Sequence, residues 1–191
     1  MMNKYVDELI ATLESTEIWY RDKQCKSYDE GIGLLVDTFT KHKEHNSQLF
    51  FIGNGGSSAI ASHMTADYMK NGGMNTYSLY DNAVTTCMGN DYGYEYIFSR
   101  PLDFLAREGD LLVAISSSGN SQNIINAIET ACVKHASIIT FTGFEADNKV
   151  QQMGEINVYV PCKKYGIVES IHNLILQQIV DVIMERDGVK F

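Results

Sequence analysis

The sequence lacks the features that mark several classes of protein. Its four cysteines among 191 residues lie far apart and form no C-x-x-C pair, which argues against a zinc ribbon or a redox pair. It has only two prolines, Pro101 and Pro161, and it contains no internal repeat, low-complexity tract or linker. We therefore expect one domain over residues 1–191, with its cysteines reduced, as in the cytosol.

Runs of basic residues and long apolar runs are also missing. The chain carries 15 Lys+Arg against 24 Asp+Glu, a formal net charge of −9, which argues against a nucleic-acid-binding surface. Lys4, Asp7 and Glu8 interrupt the first residues, so no signal-peptide core is present, and no stretch reaches the length of a membrane span. We expect a cytoplasmic protein with no nucleic-acid or membrane partner.

What the sequence does contain is an alternation of apolar runs and amphipathic stretches. The runs predict strands, and the stretches between them predict helices. The predicted strands are 48–52, 76–80, 111–115, 137–142 and 156–160, and the predicted helices are 5–20, 28–43, 59–70, 124–134, a weak one at 148–153, and 167–186. This order predicts an α/β fold with three layers, a doubly wound, flavodoxin-like parallel sheet, which binds ligands at the carboxyl ends of its strands.

Two helices are predicted before the first strand. In the first, Tyr5, Leu9, Ile10, Leu13 and Ile18 recur at spacings near three and four. Residues 1–45 therefore form an N-terminal helical segment, whose apolar faces pack either within the chain or against another subunit.

A serine-rich loop separates the strand 111–115 from the helix that follows. Ser116, Ser117, Ser118 and Ser121, with Gly119 between them, offer hydroxyl and backbone N–H donors at the positive end of a helix. The alternative is an ordinary helix cap, since serine is favoured at that position. One cap needs one serine, so we favour a phosphate site.

A glycine-rich turn, Gly53-Asn54-Gly55-Gly56-Ser57-Ser58, follows the first strand. Its first glycines resemble the dinucleotide fingerprint, but the sixth position is Ser58 where that motif has glycine or alanine. We therefore expect no nucleotide cofactor. The turn can approach a ligand closely, and Ser57 is able to cap the next helix.

Two predicted helices carry polar side chains at helix-face spacing. His63 and Asp67 lie four residues apart, and Glu169 and Gln177 share one stripe of an otherwise apolar helix. Such pairs can bind metal or transfer protons. More often, however, this spacing belongs to a core histidine with its hydrogen bonds made, or to a pair of surface residues. The polar segment 90–94 is expected to form a turn before 97–106.

Several motifs together resemble the phosphoheptose isomerases of the sugar isomerase (SIS) domain group. The similarity spans nearly the whole chain, in matching order. It rests on Gly53–Ser57, Gly89–Gly93, Ile97–Arg100, Arg107–Asp110 and Ser116–Ser121.

The resemblance implies a role for each matching position. It places the sugar phosphate on Ser116, Ser117, Ser118 and Ser121, and the sugar chain against Asn54, Gly55, Gly56, Ser57, Asn90 and Asp91. It assigns catalysis, and a possible divalent metal such as zinc, to His63, Asp67, Glu169 and Gln177. It also implies a homotetramer with sites at subunit interfaces.

The catalytic positions depart from the usual family pattern. The chain has Asp67 for glutamate, Glu169 for glutamine, Gln177 for histidine, and Asn71 near the place of an arginine. The implied reaction interconverts sedoheptulose 7-phosphate and D-glycero-D-manno-heptose 7-phosphate for surface polysaccharide, with Asp67 or Glu169 as base. The alternative is a non-catalytic SIS domain that binds a sugar phosphate, or a protein such as a replication initiator.

Overall fold

The computed structural model describes residues 2–190 and, within them, a seven-stranded sheet flanked by seven α-helices. The strands are β1 Glu17–Tyr20, β2 Lys23–Gln24, β3 Leu49–Gly53, β4 Thr76–Tyr77, β5 Leu111–Ser116, β6 Ser137–Gly143 and β7 Ile156–Val160. The helices are α1 Met2–Glu14, α2 Tyr28–Glu44, α3 Gly56–Lys70, α4 Asn82–Tyr92, α5 Ser99–Leu105, α6 Gln122–Val133 and α7 Tyr165–Arg186.

The strand order of the sheet is β2-β1-β7-β6-β5-β3-β4. The five strands from β3 to β7 are parallel. If these five are renumbered 1 to 5 in chain order, they lie across the sheet in the order 2-1-3-4-5, which is the flavodoxin-like order. The predicted doubly wound class is therefore confirmed. The chain reverses its direction of winding between β3 and β5, so the carboxyl ends of these two strands flank the crevice where such folds bind ligands.

The central strands are buried on both faces. On β5, Leu111, Val113 and Ile115 belong to the core shared with α2, α3 and α7. Leu112 and Ala114 point to the opposite side, into the core formed with α5 and α6. Helices on both sides explain why this strand is a continuous apolar run without alternation.

The predicted helix 28–43 is confirmed as α2, but the predicted helix 5–20 was too long. Helix α1 ends at Glu14, and Ile18 lies in β1, where it is 2% exposed. The hairpin β1–β2 extends the sheet because β1 pairs with β7 in the antiparallel direction. A helical spacing of apolar residues thus continued by chance into a strand whose residues, including Trp19 and Tyr20, favour extended backbone.

The prediction also missed α4. Its N-cap is Asp81, whose carboxylate accepts a hydrogen bond from the Val84 N–H, and its C-cap is Gly93, where φ is 104°. None of its residues is buried, and its few apolar residues at helical spacing, Val84, Cys87 and Met88, were too few to distinguish it from a polar turn. The predicted weak helix at 148–153 is only a 3₁₀ turn, Val150–Gln152.

The expectation that no stretch has the length of a membrane span was wrong for helix α7. Its 22 residues are apolar enough to cross a bilayer by length and composition. Half of an apolar 18-residue window within this helix is buried inside the fold, where Ile171, Ile175 and Ile179 are fully covered. The apolar composition therefore follows from packing against the sheet and the neighbouring helices, as in a core helix.

Candidate functional site

The two polar loops meet at the crevice between β3 and β5. They enclose a cavity of about 250 Å³. Its lining comprises Asn54, Gly55, Gly56, Ser57, Ile115, Ser116, Ser117, Ser118, Ser121, Tyr165 and Glu169. The topology therefore brings together the glycine turn, the serine loop and the start of α7, although more than a hundred residues separate the first of them from the last.

Backbone hydrogen bonds, within the serine loop and to neighbouring segments, fix its shape. Gly119 has a φ of 63°, and its N–H donates to the Ser116 carbonyl. Its own carbonyl accepts from the Val150 N–H, and the Ser117 carbonyl accepts from Gly143. A side chain at Gly119 would meet Asn148, so this residue must be glycine both for its φ and for space.

The hydroxyls of this loop are left available for a ligand. Ser117 is 4% exposed, and among the described residues its Oγ has no hydrogen-bond partner. Ser121 is the N-cap residue of α6, yet its side chain makes no capping hydrogen bond. The capping alternative thus fails to account for these serines, and a buried hydroxyl without a partner on a cavity wall favours a polar ligand.

A second helix begins at the same cavity. The N-cap of α3 is Gly55, with a φ of 55° and no side-chain cap, while Ser57 lies inside the helix. The prediction that Ser57 caps this helix was therefore wrong. The N-termini of α3 and α6 both point free N–H groups and a positive dipole end at one cavity, which suits an anion such as phosphate.

Glu169 supplies the one carboxylate in the lining of this cavity. It packs so close to the start of α3 that a Cβ on Gly56 would lie 2.3 Å from its Oε2. Burial raises the pKa of this carboxyl above the usual glutamate value, because desolvation penalises the charged form. A carboxyl whose pKa is raised in this way is a candidate for proton transfer to or from a bound substrate.

Sequence reasoning missed two residues next to Asn54. Asn54 and Asn123 exchange side-chain hydrogen bonds of 2.9 and 2.8 Å, and the Tyr94 hydroxyl lies 2.9 Å from Asn54 Oδ1. Asn123 follows the serine loop by two positions, and it is 2% exposed. A polar residue in the first turn of a helix otherwise apolar toward the sheet was the signal that could have identified it.

A separate cluster joins α3 to α7 further along both helices. Gln177 Nε2 lies 2.6 Å from Asp67 Oδ2 and 3.1 Å from His63 Nε2. His63 Nε2 lies 3.3 Å from the same carboxylate oxygen. The structure therefore brings three of the four residues assigned to catalysis and metal into direct contact.

The fourth, Glu169, contacts the glycine turn instead. It precedes Gln177 by eight residues, which is about 12 Å along a helix. Within residues 2–190, no group of three or more His, Cys, Asp or Glu side chains is placed to hold a metal ion. In a single chain the four side chains thus divide into a carboxylate at the serine-loop cavity and a three-residue cluster.

Asn90 and Asp91 do not line the cavity in the single chain. They lie on the exposed helix α4, where the Asn90 amide donates to the Asp91 carboxylate. Asn71, near the position of the family's arginine, is the C-cap residue of α3. Contacts of these residues with a sugar chain therefore stay a prediction.

Comparisons with known proteins agree with this geometry. The SIS domain profile matches residues 16–143. The phosphoheptose isomerase of Yersinia enterocolitica is 37% identical over 163 residues, which cover 82% of this chain and 81% of that protein. The structure of a phosphoheptose isomerase from Francisella tularensis superposes with a TM-score of 0.83 at 26% identity, covering 96% of each chain. That from Neisseria gonorrhoeae gives 0.82 at 27% identity, covering 95% of this chain and 97% of the other. The chain therefore belongs to the SIS domain family and, within it, to the phosphoheptose isomerases.

Proposed function

We propose that this protein is an aldose-ketose isomerase that converts sedoheptulose 7-phosphate into D-glycero-D-manno-heptose 7-phosphate, in the cytoplasm, for the synthesis of surface polysaccharide. The family membership supports the reaction. The observation that carries the proposal is the serine-loop cavity, in which Ser117 Oγ is buried without a partner within residues 2–190, beside two uncapped helix N-termini. This arrangement supports binding of the substrate's phosphate.

The reaction needs a group that removes a proton beside a carbonyl and returns it to the neighbouring carbon. Glu169 suits this role because it lines the phosphate cavity and burial raises the pKa of its carboxyl. Asp67 suits it less, since Gln177 already donates a hydrogen bond to its carboxylate. We therefore assign proton transfer to Glu169, and a positioning role in the second cluster to Asp67.

A divalent metal such as zinc is proposed at the second cluster. The imidazole of His63, the carboxylate of Asp67 and the amide of Gln177 are all competent ligands, and they lie within 3.3 Å of one another. Gln177 would have to turn so that its oxygen faces the ion. When bound, the metal would polarise the substrate oxygens. Metal analysis of protein purified without chelator, repeated on His63→Ala, tests this assignment.

We also propose that the protein assembles as a homotetramer. Helix α1 leaves Tyr5, Val6 and Ile10 each about half exposed, and Leu174 on α7 is 42% exposed. Apolar side chains in such number on a helical face suit a subunit interface. Light scattering at micromolar concentration should report four chains, and a monomer mass would reject the assembly.

The decisive experiment is a coupled isomerase assay with sedoheptulose 7-phosphate and purified protein. Glu169→Gln should lower turnover by roughly a hundredfold or more, the range lost with a general acid or base. Glu155 carries an exposed carboxylate outside the cavity, so Glu155→Gln is the matched control and should keep full activity. Binding of the sugar phosphate without any turnover would instead favour a non-catalytic sugar-phosphate-binding domain.

A further inference from the structure

The side chain of Asn54 is held by two neighbours in a way that limits what it can offer to a ligand. An asparagine amide has two N–H donors and an oxygen that accepts two hydrogen bonds. Asn54 Oδ1 accepts from Asn123 Nδ2 at 2.8 Å and from the Tyr94 hydroxyl at 2.9 Å, so both of its acceptor positions are taken. Asn54 Nδ2 donates one N–H to Asn123 Oδ1 at 2.9 Å.

One N–H of Asn54 therefore remains for the cavity that this residue lines. We propose that Asn123 and Tyr94 are positioning residues that hold Asn54 as a hydrogen-bond donor, directed at an oxygen of the bound sugar phosphate. This inference rests on the proposed isomerase function. It assigns a positioning role to two residues outside the cavity lining. It also makes Asn54 a hydrogen-bond donor to the ligand, whereas an asparagine free to rotate could equally accept a hydrogen bond from it.

The surroundings explain why the arrangement is stable. Asn123 is 2% exposed in the first turn of α6, so water does not compete for its amide, and a broken pair would leave buried polar atoms unsatisfied. Tyr94 approaches from outside, because it lies in the 3₁₀ turn Tyr94–Tyr96 and is 61% exposed. The buried amide of Asn123 thus holds the Asn54 side chain from the protein interior, and the Tyr94 hydroxyl holds it from the solvent side.

The chemical value of a fixed donor follows from the reaction. Negative charge develops on the substrate oxygens as the proton beside the carbonyl is removed, and a preoriented N–H stabilises such charge. An amide free to turn would present its oxygen for part of the time, which repels the same charge. Loss of the positioning residues should therefore lower turnover more than substrate binding.

The test combines kinetics with a direct observation of the Asn54 amide. In protein labelled with ¹⁵N-asparagine, with Asn54→Asp used for assignment, one Asn54 side-chain proton should exchange with water slowly and the other rapidly. Addition of sedoheptulose 7-phosphate should slow the second. In Asn123→Ala both should exchange rapidly, and kcat should fall roughly tenfold to a hundredfold, the range for a misplaced donor. Tyr94→Phe should lower kcat roughly threefold to tenfold.

Matched variants separate positioning from folding. Asn157→Ala removes another buried amide, one that bonds to Thr140 away from the cavity, and it should leave kcat unchanged. Tyr77→Phe, a tyrosine 44% exposed at the sheet edge, is the control for Tyr94→Phe. If Asn123→Ala does not fold, Asn123→Asp keeps the size of the side chain while removing its donor, and it should show the same loss of turnover.

The outcomes distinguish this inference from the proposed function. Equal rates of exchange with water for the two Asn54 side-chain protons in the wild-type protein would reject the positioning of Asn54 by Asn123 and Tyr94. An unchanged kcat in both Asn123 variants would reject it as well. If the wild-type protein has no isomerase activity, the proposed reaction fails, while the exchange measurement still decides how Asn54 is held.

Discussion

The Gln177 side chain donates a hydrogen bond of 2.6 Å to the Asp67 carboxylate, across 110 residues of sequence. The same amide nitrogen lies 3.1 Å from His63. The contact joins α3 to α7, and it depends on an amide being able to donate where a carboxylate could not. The substitution of glutamine for the usual family histidine is thus compatible with an intact polar cluster.

Gln177→Glu should make the stability of the protein depend on pH. Two carboxylates in contact cannot both ionise without repulsion, so the pKa of the pair is raised in the folded state. The stability of the variant is then retained below the usual carboxylate pKa, and it is lost as pH rises through the raised value. We expect a loss of about 1 to 2 kcal/mol at pH 8 relative to pH 4.5. Urea denaturation in the presence of chelator measures it, with the exposed Gln152→Glu as control.

Ser117→Ala should affect stability and ligand binding in opposite directions. The Ser117 hydroxyl is buried without a partner in the part of the chain that the structure describes, so its removal should stabilise the fold by about 1 kcal/mol. The same change should weaken the binding of a sugar phosphate by about 1 to 3 kcal/mol, the loss for a hydrogen bond to a charged group. Thermal unfolding and calorimetry measure the two effects.

Two further variants check this assignment. Ser121→Ala should weaken binding by a similar amount, since its hydroxyl does not cap α6. The Ser170 hydroxyl donates to the Gly166 carbonyl in its own helix, so Ser170→Ala should leave binding unchanged. Undiminished affinity in both Ser117→Ala and Ser121→Ala would contradict the phosphate site.

Gly56→Ala should disturb Glu169 at small cost to the fold. The new Cβ would lie 2.3 Å from Glu169 Oε2, and the end of a flexible side chain can move away. We expect a change in the free energy of unfolding of less than about 1 kcal/mol, with a loss of turnover of roughly tenfold or more. Gly33→Ala, where a Cβ meets nothing within 4 Å, is the matched control. Full activity of Gly56→Ala would reject Glu169 as the proton-transfer group.

The pH dependence of turnover should also reflect Glu169. A general base must be deprotonated, and burial raises the pKa of this carboxyl. Activity should therefore fall, as pH is lowered, at a pH above the usual glutamate range. A profile of kcat/KM against pH measures the midpoint. A midpoint at the ordinary glutamate pKa would argue against this assignment.

His172 should make the protein sensitive to mild acid. Its Nε2 donates to the Thr142 carbonyl at 3.0 Å, while Nδ1 is buried among the described residues without a partner. Burial lowers the pKa of this imidazole to about 4, with the bond to Thr142 opposing the shift. Stability is thus present above the unfolded pKa, and it is lost as pH falls from about 6.5 toward 4, by up to about 3 kcal/mol.

Denaturation of His172→Gln isolates this contribution. Glutamine keeps a donor for the Thr142 carbonyl and has no charge to gain, so the variant should be less stable at pH 7 but should lose less stability between pH 6.5 and 4. Parallel curves for the two proteins would show that another group causes the acid sensitivity.

The sequence by itself determined the parallel sheet and the position of the serine loop between a strand and a helix. Strands such as Leu111–Ser116 are covered by helices on both faces, so they are recognisable as continuous apolar runs. The serine loop is recognisable because its serines are close together in the chain, between an apolar run and a predicted helix. Each of these signals is local, since it depends on neighbours within about ten residues.

Only the tertiary structure decided where the polar groups meet. Glu169 and Gln177 lie on one stripe of α7, yet one contacts Gly56 and the other Asp67, because α3 packs along α7 in the same direction. The pairing of Asn54 with Asn123, and the strand around Ile18, likewise depend on residues distant in sequence. Spacing along a helix determines which face a side chain shares, but the packing of the other elements determines what that face contacts.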